Sequence, residues 1–239
     1  MLILAHRGAS ADAPENTIPA FQEAVAQGAD GIELDVMRCG TGEVVVVHDE
    51  RLGRLTGQDL NVWRTPLSQL RQLDVGRYLG FKVSAFIPTL EEVFAALPAG
   101  FLVNVELKCA SIDDAGLAYA AGEYLVRNAL MDRVVVSSFN SVCLWKLAWS
   151  FPQLRRCWLI DPERPFWFEN LFTSLCANFS ANPRYDAVTG PRMRRWKKAG
   201  LQVQAWTVDD PAEARRLRDL GVDYCITNRP RQLRDALKD

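Results

Sequence analysis

Two histidines are present in the whole chain, and each lies where a short apolar run ends. His6 and Arg7 follow the run at 1–5, and His48 follows the run at 44–47. An imidazole works as a general acid or base near neutral pH, because its ordinary pKa is close to neutrality. A single histidine more often has a structural role, but two histidines near three acidic residues favour catalysis.

The acidic residues are Glu33, Asp35 and Glu106. Glu33 and Asp35 are two positions apart on a predicted strand, so both side chains point to one face of that strand. Three carboxylates suit Mg²⁺ or Ca²⁺ better than zinc, which prefers His and Cys ligands. The alternative is a set of acids at strand ends that are solvated or paired with Arg7 and Lys108. These two cations also supply positive charge that suits a phosphate.

Short apolar runs alternate with helical stretches along the chain, which is typical of βα units around a parallel sheet. The predicted strands lie near 2–6, 31–36, 102–107, 133–138, 155–160, 176–179, 202–207 and 223–226. The predicted helices lie near 16–28, 89–97, 113–129, 140–150, 165–174, 190–199, 211–220 and 230–237. Eight strands, each followed by a helix, predict an α/β fold of the (β/α)₈ TIM-barrel type.

One predicted strand does not fit this alternation. Between Asp35 and His48 there is no room for a crossover helix, and the glycines at 40 and 42 indicate a turn. Residues 44–47 should therefore return antiparallel to the second strand, with His48 beside Leu34 or Asp35. We expect residues 37–88 to form a β-hairpin and inserted segment over the barrel mouth, within one TIM-barrel domain spanning 1–239.

Composition excludes several classes of protein. The net charge of −1 argues against a nucleic-acid partner, and no apolar run reaches the length of a transmembrane segment. The six cysteines show no metal-binding spacing, so we expect them to be reduced and mostly buried in a cytoplasmic protein. An aromatic patch at 166–172 predicts a buried helix, with subunit or lipid contact as the alternative. Subunit contact through this patch would make the protein a homo-oligomer.

The chain also carries a series of short motifs in a fixed order. They are His6-Arg7-Gly8, Glu15-Asn16-Thr17, Glu33-Leu34-Asp35, His48-Asp49, Pro88-Thr89-Leu90-Glu91-Glu92, Glu106-Leu107-Lys108, Ser137-Ser138-Phe139 and Trp206-Thr207-Val208. Together they resemble the glycerophosphodiester phosphodiesterases, especially the compact bacterial cytosolic type. The resemblance covers nearly the whole chain.

The resemblance implies a TIM barrel with an insertion after the second strand. It implies hydrolysis of a small-molecule glycerophosphodiester to glycerol 3-phosphate and an alcohol. The implied roles are a divalent metal on Glu33, Asp35 and Glu106, acid and base catalysis by His6 and His48, and substrate binding by Arg7, Lys108 and Trp206.

Three positions need separate treatment. Asn16 is a candidate N-cap for the first helix or a residue that fixes the loop, with contact to a ligand at the electropositive end of the helix as the alternative. The resemblance implies that Glu15 and Asn16 support the site. A Thr-Asp-x-Pro motif common in the family is Thr227-Asn228-Arg229-Pro230 here, which argues against a metal role for position 228.

Two alternative functions are a phospholipase D-like enzyme acting on lysophospholipids and a non-catalytic barrel that binds phosphate esters.

Overall fold

The computed structural model describes residues 1–109, 111, 113–161, 163 and 166–238, with the backbone alone for 166–170. The strands are β1 (Leu2–His6), β2 (Gly31–Arg38), β3 (Val44–Val46), β4 (Leu102–Leu107), β5 (Val134–Ser138), β6 (Arg155–Ile160), β7 (Ser180–Pro183), β8 (Gln202–Ala205) and β9 (Tyr224–Thr227). Within these described residues, every strand except β3 joins a closed parallel barrel in the order β1-β9-β8-β7-β6-β5-β4-β2, and β1 pairs with β2 to complete it. The predicted (β/α)₈ TIM barrel is confirmed.

Helices surround the barrel and cover its apolar outer face. They are α1 (Ile18–Ala26), α2 (Gly53–Thr56), α3 (Leu67–Leu70), α4 (Val75–Tyr78), α5 (Leu90–Ala96), α6 (Leu117–Arg127), α7 (Ser141–Ser150), α8 (Phe166–Cys176), α9 (Gly190–Lys198), α10 (Pro211–Asp219) and α11 (Pro230–Ala236). Several begin at a polar cap; Thr89 and Glu92, for example, form a reciprocal capping box at the start of α5. Among the helices that the structure describes, none combines the length and apolarity that crossing a bilayer requires.

The segment between β2 and α5 packs as a small unit against the barrel. Strand β3 runs antiparallel to β2, with Val46 opposite Val36, and the Val47 N–H donates to the Asp35 carbonyl at 2.9 Å. Buried apolar residues that include Leu52, Leu70 and Ile87 give the segment its own core. The hairpin therefore carries His48 to the carboxyl end of β2. The domain limits proposed from the sequence stay a prediction.

The predicted strand at 176–179 is wrong. Cys176 ends α8, and β7 begins only at Ser180, which pairs with Cys157 of β6. Inside the barrel, Ser180 and Asn182 hydrogen-bond to each other, and Gln204 donates to Ser180 at 3.1 Å. This part of the barrel interior is polar. The strand therefore lacks the apolar run by which the other strands were predicted.

The cysteines differ partly from expectation. Cys109, just after β4, and Cys143 of α7 form a disulfide, whereas the prediction was that all six are reduced. The other four are free and buried, as expected: Cys39, Cys157, Cys176 and Cys225. The two bonded residues are 34 positions apart, and only the barrel brings them together.

The predicted aromatic patch at 166–172 lies largely outside the described side chains. Its backbone forms the first part of α8, and Phe172 stacks on Trp158 of β6 with ring centroids 5.6 Å apart. Subunit or lipid contact by this patch stays a prediction.

Candidate active site

Three carboxylates meet inside the carboxyl-end mouth of the barrel. Glu33 and Asp35 lie on β2, and Glu106 lies on β4 directly opposite Asp35 in the parallel register. One oxygen from each of the three side chains lies within 4.8 Å of the others. All three residues are buried, and Glu33 Oε1 has no hydrogen-bond partner among the described residues. An orphaned buried oxygen beside two further carboxylates fits a hard divalent cation.

The charges of these acids are not equivalent. Burial, with Asp35 and Glu106 nearby, raises the pKa of Glu33 well above its ordinary value. Burial also raises the pKa of Glu106 to about 7, although Lys108 opposes the change. Burial alone would raise the pKa of Asp35 too, but Arg7 and Lys108 outweigh it and lower that pKa. Without a cation, the cluster therefore retains protons near neutral pH.

Two cations border the acids. Arg7 Nε lies 3.1 Å from Asp35 Oδ2, and the Arg7 backbone N–H donates to Glu33 Oε2 at 3.1 Å. Lys108 Nζ lies 2.9 Å from Glu106 Oε1 and 3.8 Å from Asp35 Oδ1. Both cations also line the cavity at the mouth, so they can face an anion that enters it.

His6 lies at the end of β1, beside the acidic cluster. Its Nε2 is 3.9 Å from Glu33 Oε2, and its Nδ1 is 2.7 Å from the side-chain oxygen of Asn228. Burial and the neighbouring Arg7 lower the pKa of His6 below its ordinary value. The ring is therefore mainly neutral at pH 7, as a general base must be.

His48 approaches the same mouth from the inserted segment. Its Nδ1 lies 2.7 Å from Asp49 Oδ1, so this imidazole has a carboxylate partner where His6 has an amide. Arg54 of α2 contacts Asp49 Oδ2 at 2.7 Å and Glu15 Oε1 at 2.7 Å. Glu15 in turn accepts from Arg7 at 3.0 Å. A chain of ion pairs thus connects the surroundings of the two histidines.

Asn16 does not cap the first helix, so that prediction is wrong. Thr17 is the N-cap of α1, while Asn16 adopts a left-handed conformation with φ of 56°. The Asn16 amide instead donates to Asp35 Oδ2 at 2.8 Å, and the Asp35 N–H donates to Asn16 Oδ1 at 3.2 Å. Asn is among the residues that tolerate this conformation, which turns the side chain toward Asp35.

Two adjoining cavities share the site. An inner cavity of about 150 Å³ is bordered by both histidines and by Trp206, whose ring meets Phe139 edge-on at 5.5 Å. An outer cavity of about 300 Å³ is bordered by His48, Lys108 and Trp63 but not by His6. The indole N–H of Trp206 donates to the Asn182 carbonyl at 2.7 Å, which fixes this aromatic wall.

Sequence reasoning missed Arg54 and Asn228, which contact residues of the site, and Asp209, whose carboxylate accepts from the Asn228 amide at 2.6 Å. Asn228 was considered only as a metal ligand, and the contacts of the stretch containing Arg54 were not predicted. Local sequence does not reveal the contacts with the site, because Arg54 and Glu15 are 39 positions apart and His6 and Asn228 are 222 positions apart. A polar residue just after a predicted barrel strand is the one available signal, and Asn228 satisfies it.

A family model matches nearly the whole chain. The model for the glycerophosphoryl diester phosphodiesterase family matches residues 6–232. The chain belongs to this family. The match includes every residue that we place at the mouth.

Individual family members extend the comparison. A glycerophosphodiester phosphodiesterase from Caldanaerobacter subterraneus is 35% identical, with 97% of this chain and 96% of that protein covered. A phosphodiesterase from Oleispira antarctica, solved in complex with its product sn-glycerol-3-phosphate, is 30% identical with a TM-score of 0.89, covering 100% of this chain and 97% of that one. A glycerophosphodiester phosphodiesterase from Thermotoga maritima is 29% identical with a TM-score of 0.81, and the match covers 98% of this chain and 97% of that one.

Proposed function

We propose that this family member hydrolyses small glycerophosphodiesters to glycerol 3-phosphate and an alcohol. The observation that carries the proposal is that both imidazoles, Arg7 and Lys108 lie around one buried cluster of three carboxylates. The product held by the Oleispira antarctica relative is sn-glycerol-3-phosphate, which supports the same substrate class.

Glu33, Asp35 and Glu106 would hold the divalent cation, Mg²⁺ or Ca²⁺. When bound, such a cation supplies positive charge that offsets the charge of a phosphate and favours attack on phosphorus. Arg7 and Lys108 act in the same direction from the cavity wall. They bind the anionic phosphoryl oxygens and stabilise the charge that builds on them in the transition state.

The two histidines divide the proton transfers. His6, whose pKa is lowered by burial and Arg7, accepts the proton of the attacking hydroxyl, which belongs either to water or to the glycerol next to the phosphate. In the second case a water molecule then opens the cyclic phosphate to give glycerol 3-phosphate. His48 donates a proton to the oxygen of the departing alcohol, and Asp49 provides a counter-charge for its protonated ring. The cavities support this division, because His48 borders both of them and His6 borders only the inner one.

Substrate orientation follows from the same cavities. The glycerol phosphate arm occupies the inner cavity, where Trp206 forms an aromatic wall. The alcohol arm occupies the outer cavity beside His48 and leaves from there. Glu15 holds Arg7 in place and Asn16 holds Asp35, so both support the site without touching the substrate.

One assay tests the activity and its bond selectivity. EDTA-treated protein is given glycerophosphocholine with Mg²⁺ or Ca²⁺ added back, and choline, glycerol phosphate and phosphocholine are all measured. We expect metal-dependent release of choline and glycerol phosphate. Phosphocholine as the main product would contradict the bond selectivity, and faster turnover of a long-chain lysophospholipid would favour the phospholipase D-like alternative. Tight binding without turnover would favour a non-catalytic barrel.

Single variants test the acid and base. Replacing His6 or His48 by Ala should lower the rate about 10²- to 10⁴-fold, the usual contribution of a general acid or base. The exposed Asn128→Ala, between α6 and the start of β5 at the opposite end of the barrel, is the control and should keep full activity. Near-normal turnover in either folded histidine variant would refute the assignment.

The cytoplasmic location and the homo-oligomer stay predictions from the sequence.

A further inference from the structure

His6 is held by a residue from the far end of the chain. Its Nδ1 lies 2.7 Å from Asn228 Oδ1, across 222 positions of sequence. Strand β1 pairs with β9 in the barrel, and Asn228 directly follows β9. The closure of the barrel therefore places this amide next to the imidazole.

The orientation of the Asn228 amide is fixed by Asp209. The Asn228 Nδ2 donates to Asp209 Oδ2 at 2.6 Å, and the Asn228 backbone N–H donates to Asp209 Oδ1 at 2.8 Å. Asp209 Oδ1 also accepts from the Thr227 hydroxyl at 2.9 Å, so both carboxyl oxygens act as acceptors and the amide nitrogen faces Asp209. The amide oxygen is then left for His6 and for the Ser10 hydroxyl, which donates to it at 2.7 Å.

This orientation determines the tautomer of His6. An amide oxygen only accepts hydrogen bonds, so His6 Nδ1 must carry the hydrogen. In the neutral ring, Nε2 is then unprotonated and available as a base. Nε2 is also the nitrogen nearer the acidic cluster, 3.9 Å from Glu33 Oε2.

We infer that Asn228 and Asp209 are positioning residues that hold His6 as the Nδ1–H tautomer with Nε2 directed at the reacting hydroxyl. The inference rests on the proposed function for the identity of the reaction. The amide fixes the ring without adding a negative charge next to three carboxylates, and the carboxylate of Asp209 is kept one side chain further away.

The test reads the tautomer directly by ¹⁵N NMR of the imidazole nitrogens at alkaline pH, where the ring is neutral. The chain has only two histidines, so the His48→Ala variant leaves the signals of His6 alone. We expect a protonated Nδ1 and an unprotonated Nε2. A protonated Nε2 in the otherwise unchanged protein would overturn the inference.

Three variants separate positioning from folding. Asn228→Leu, of similar size, removes the acceptor, and Asp209→Asn allows the Asn228 amide to turn over. Each should give a mixture of tautomers and lower kcat about 10- to 100-fold with KM nearly unchanged. Ser10→Ala removes only a second donor to the same oxygen and is the matched control.

The outcomes distinguish this inference from the proposed function. If Asn228→Leu and Asp209→Asn both keep the wild-type tautomer and kcat, the positioning role is wrong even when the enzyme is active. If the tautomers change as expected but neither the wild type nor any variant hydrolyses a glycerophosphodiester, the proposed function is wrong. The positioning of His6 by Asn228 and Asp209 would still hold.

Discussion

Glu106→Gln should make the metal-free protein more stable at neutral and alkaline pH. Glu106 is buried close to Asp35 and Glu33, and burial raises its pKa from the ordinary 4.5 to about 7. Glutamine has nearly the same shape and no charge. The substitution therefore removes the cost of ionising a third carboxylate in the cluster and leaves Lys108 close to Asp35.

The size of the effect follows from proton linkage. A pKa raised from 4.5 to about 7 corresponds to about 3 kcal/mol, since a tenfold change in an equilibrium constant is about 1.4 kcal/mol. Between these two pH values the folded chain keeps the proton of Glu106 and the unfolded chain loses it. The free energy of unfolding therefore falls as the pH rises through this window, and it is highest at the acidic end.

Urea denaturation in EDTA, at about pH 5 and pH 8, measures this contribution. The variant and wild type should differ little at pH 5, and by about 2–3 kcal/mol more at pH 8, with the variant more stable. Exposed Glu123→Gln on α6 is the matched control and should show no such pH-dependent difference. Adding Mg²⁺ or Ca²⁺ at pH 8 should stabilise the wild type and stabilise Glu106→Gln much less, because the variant has lost a ligand.

Two results would refute this reasoning. A stability difference between wild type and Glu106→Gln that is the same at both pH values would mean that Glu106 does not keep its proton in the metal-free protein. Equal stabilisation of both proteins by the cation would mean that Glu106 does not bind it.

Two further predictions concern the cavity wall and the outer shell of the barrel. Trp206→Ala removes the aromatic wall and should raise KM for glycerophosphocholine about tenfold, which corresponds to about 1.4 kcal/mol. Trp206→Phe should raise KM less. An unchanged KM in steady-state kinetics would contradict the proposed orientation of the substrate. Thr89→Ala breaks the capping box of α5 and should lower the free energy of unfolding by about 1 kcal/mol, as measured by urea denaturation. The value of kcat should not change. A large loss of kcat would show that α5 acts on the site.

The barrel was predictable because most of its strands are buried on both faces. Runs such as residues 102–107 and 155–160 are short and mostly buried, and the Asn140 side chain caps the start of α7 between them. Strand β7 was not predictable by this rule, because Ser180 and Asn182 point into a polar layer of the interior. The apolar signal of the preceding helix continued to Cys176 and was mistaken for the strand.

The candidate site was predictable to the extent that its residues lie at strand ends. Residues that lie at the carboxyl ends of parallel strands must meet at one mouth, so His6, Glu33, Asp35 and Glu106 could be grouped from the sequence. Their roles as ligands, acid and base stay proposals. Asn16 was assigned to a helix cap from its position alone, whereas its left-handed backbone turns the amide to Asp35.

The sequence by itself determined which chemistry is available: two imidazoles, three acids, one arginine and one lysine, all at or near the ends of strands. Strand direction and the alternation of side chains depend on local order, which a sequence carries. Only the tertiary structure decided which partner each imidazole has, an amide for His6 and a carboxylate for His48. The amide comes from Asn228, and barrel closure between β1 and β9 sets that contact, since no local pattern connects residues 222 positions apart.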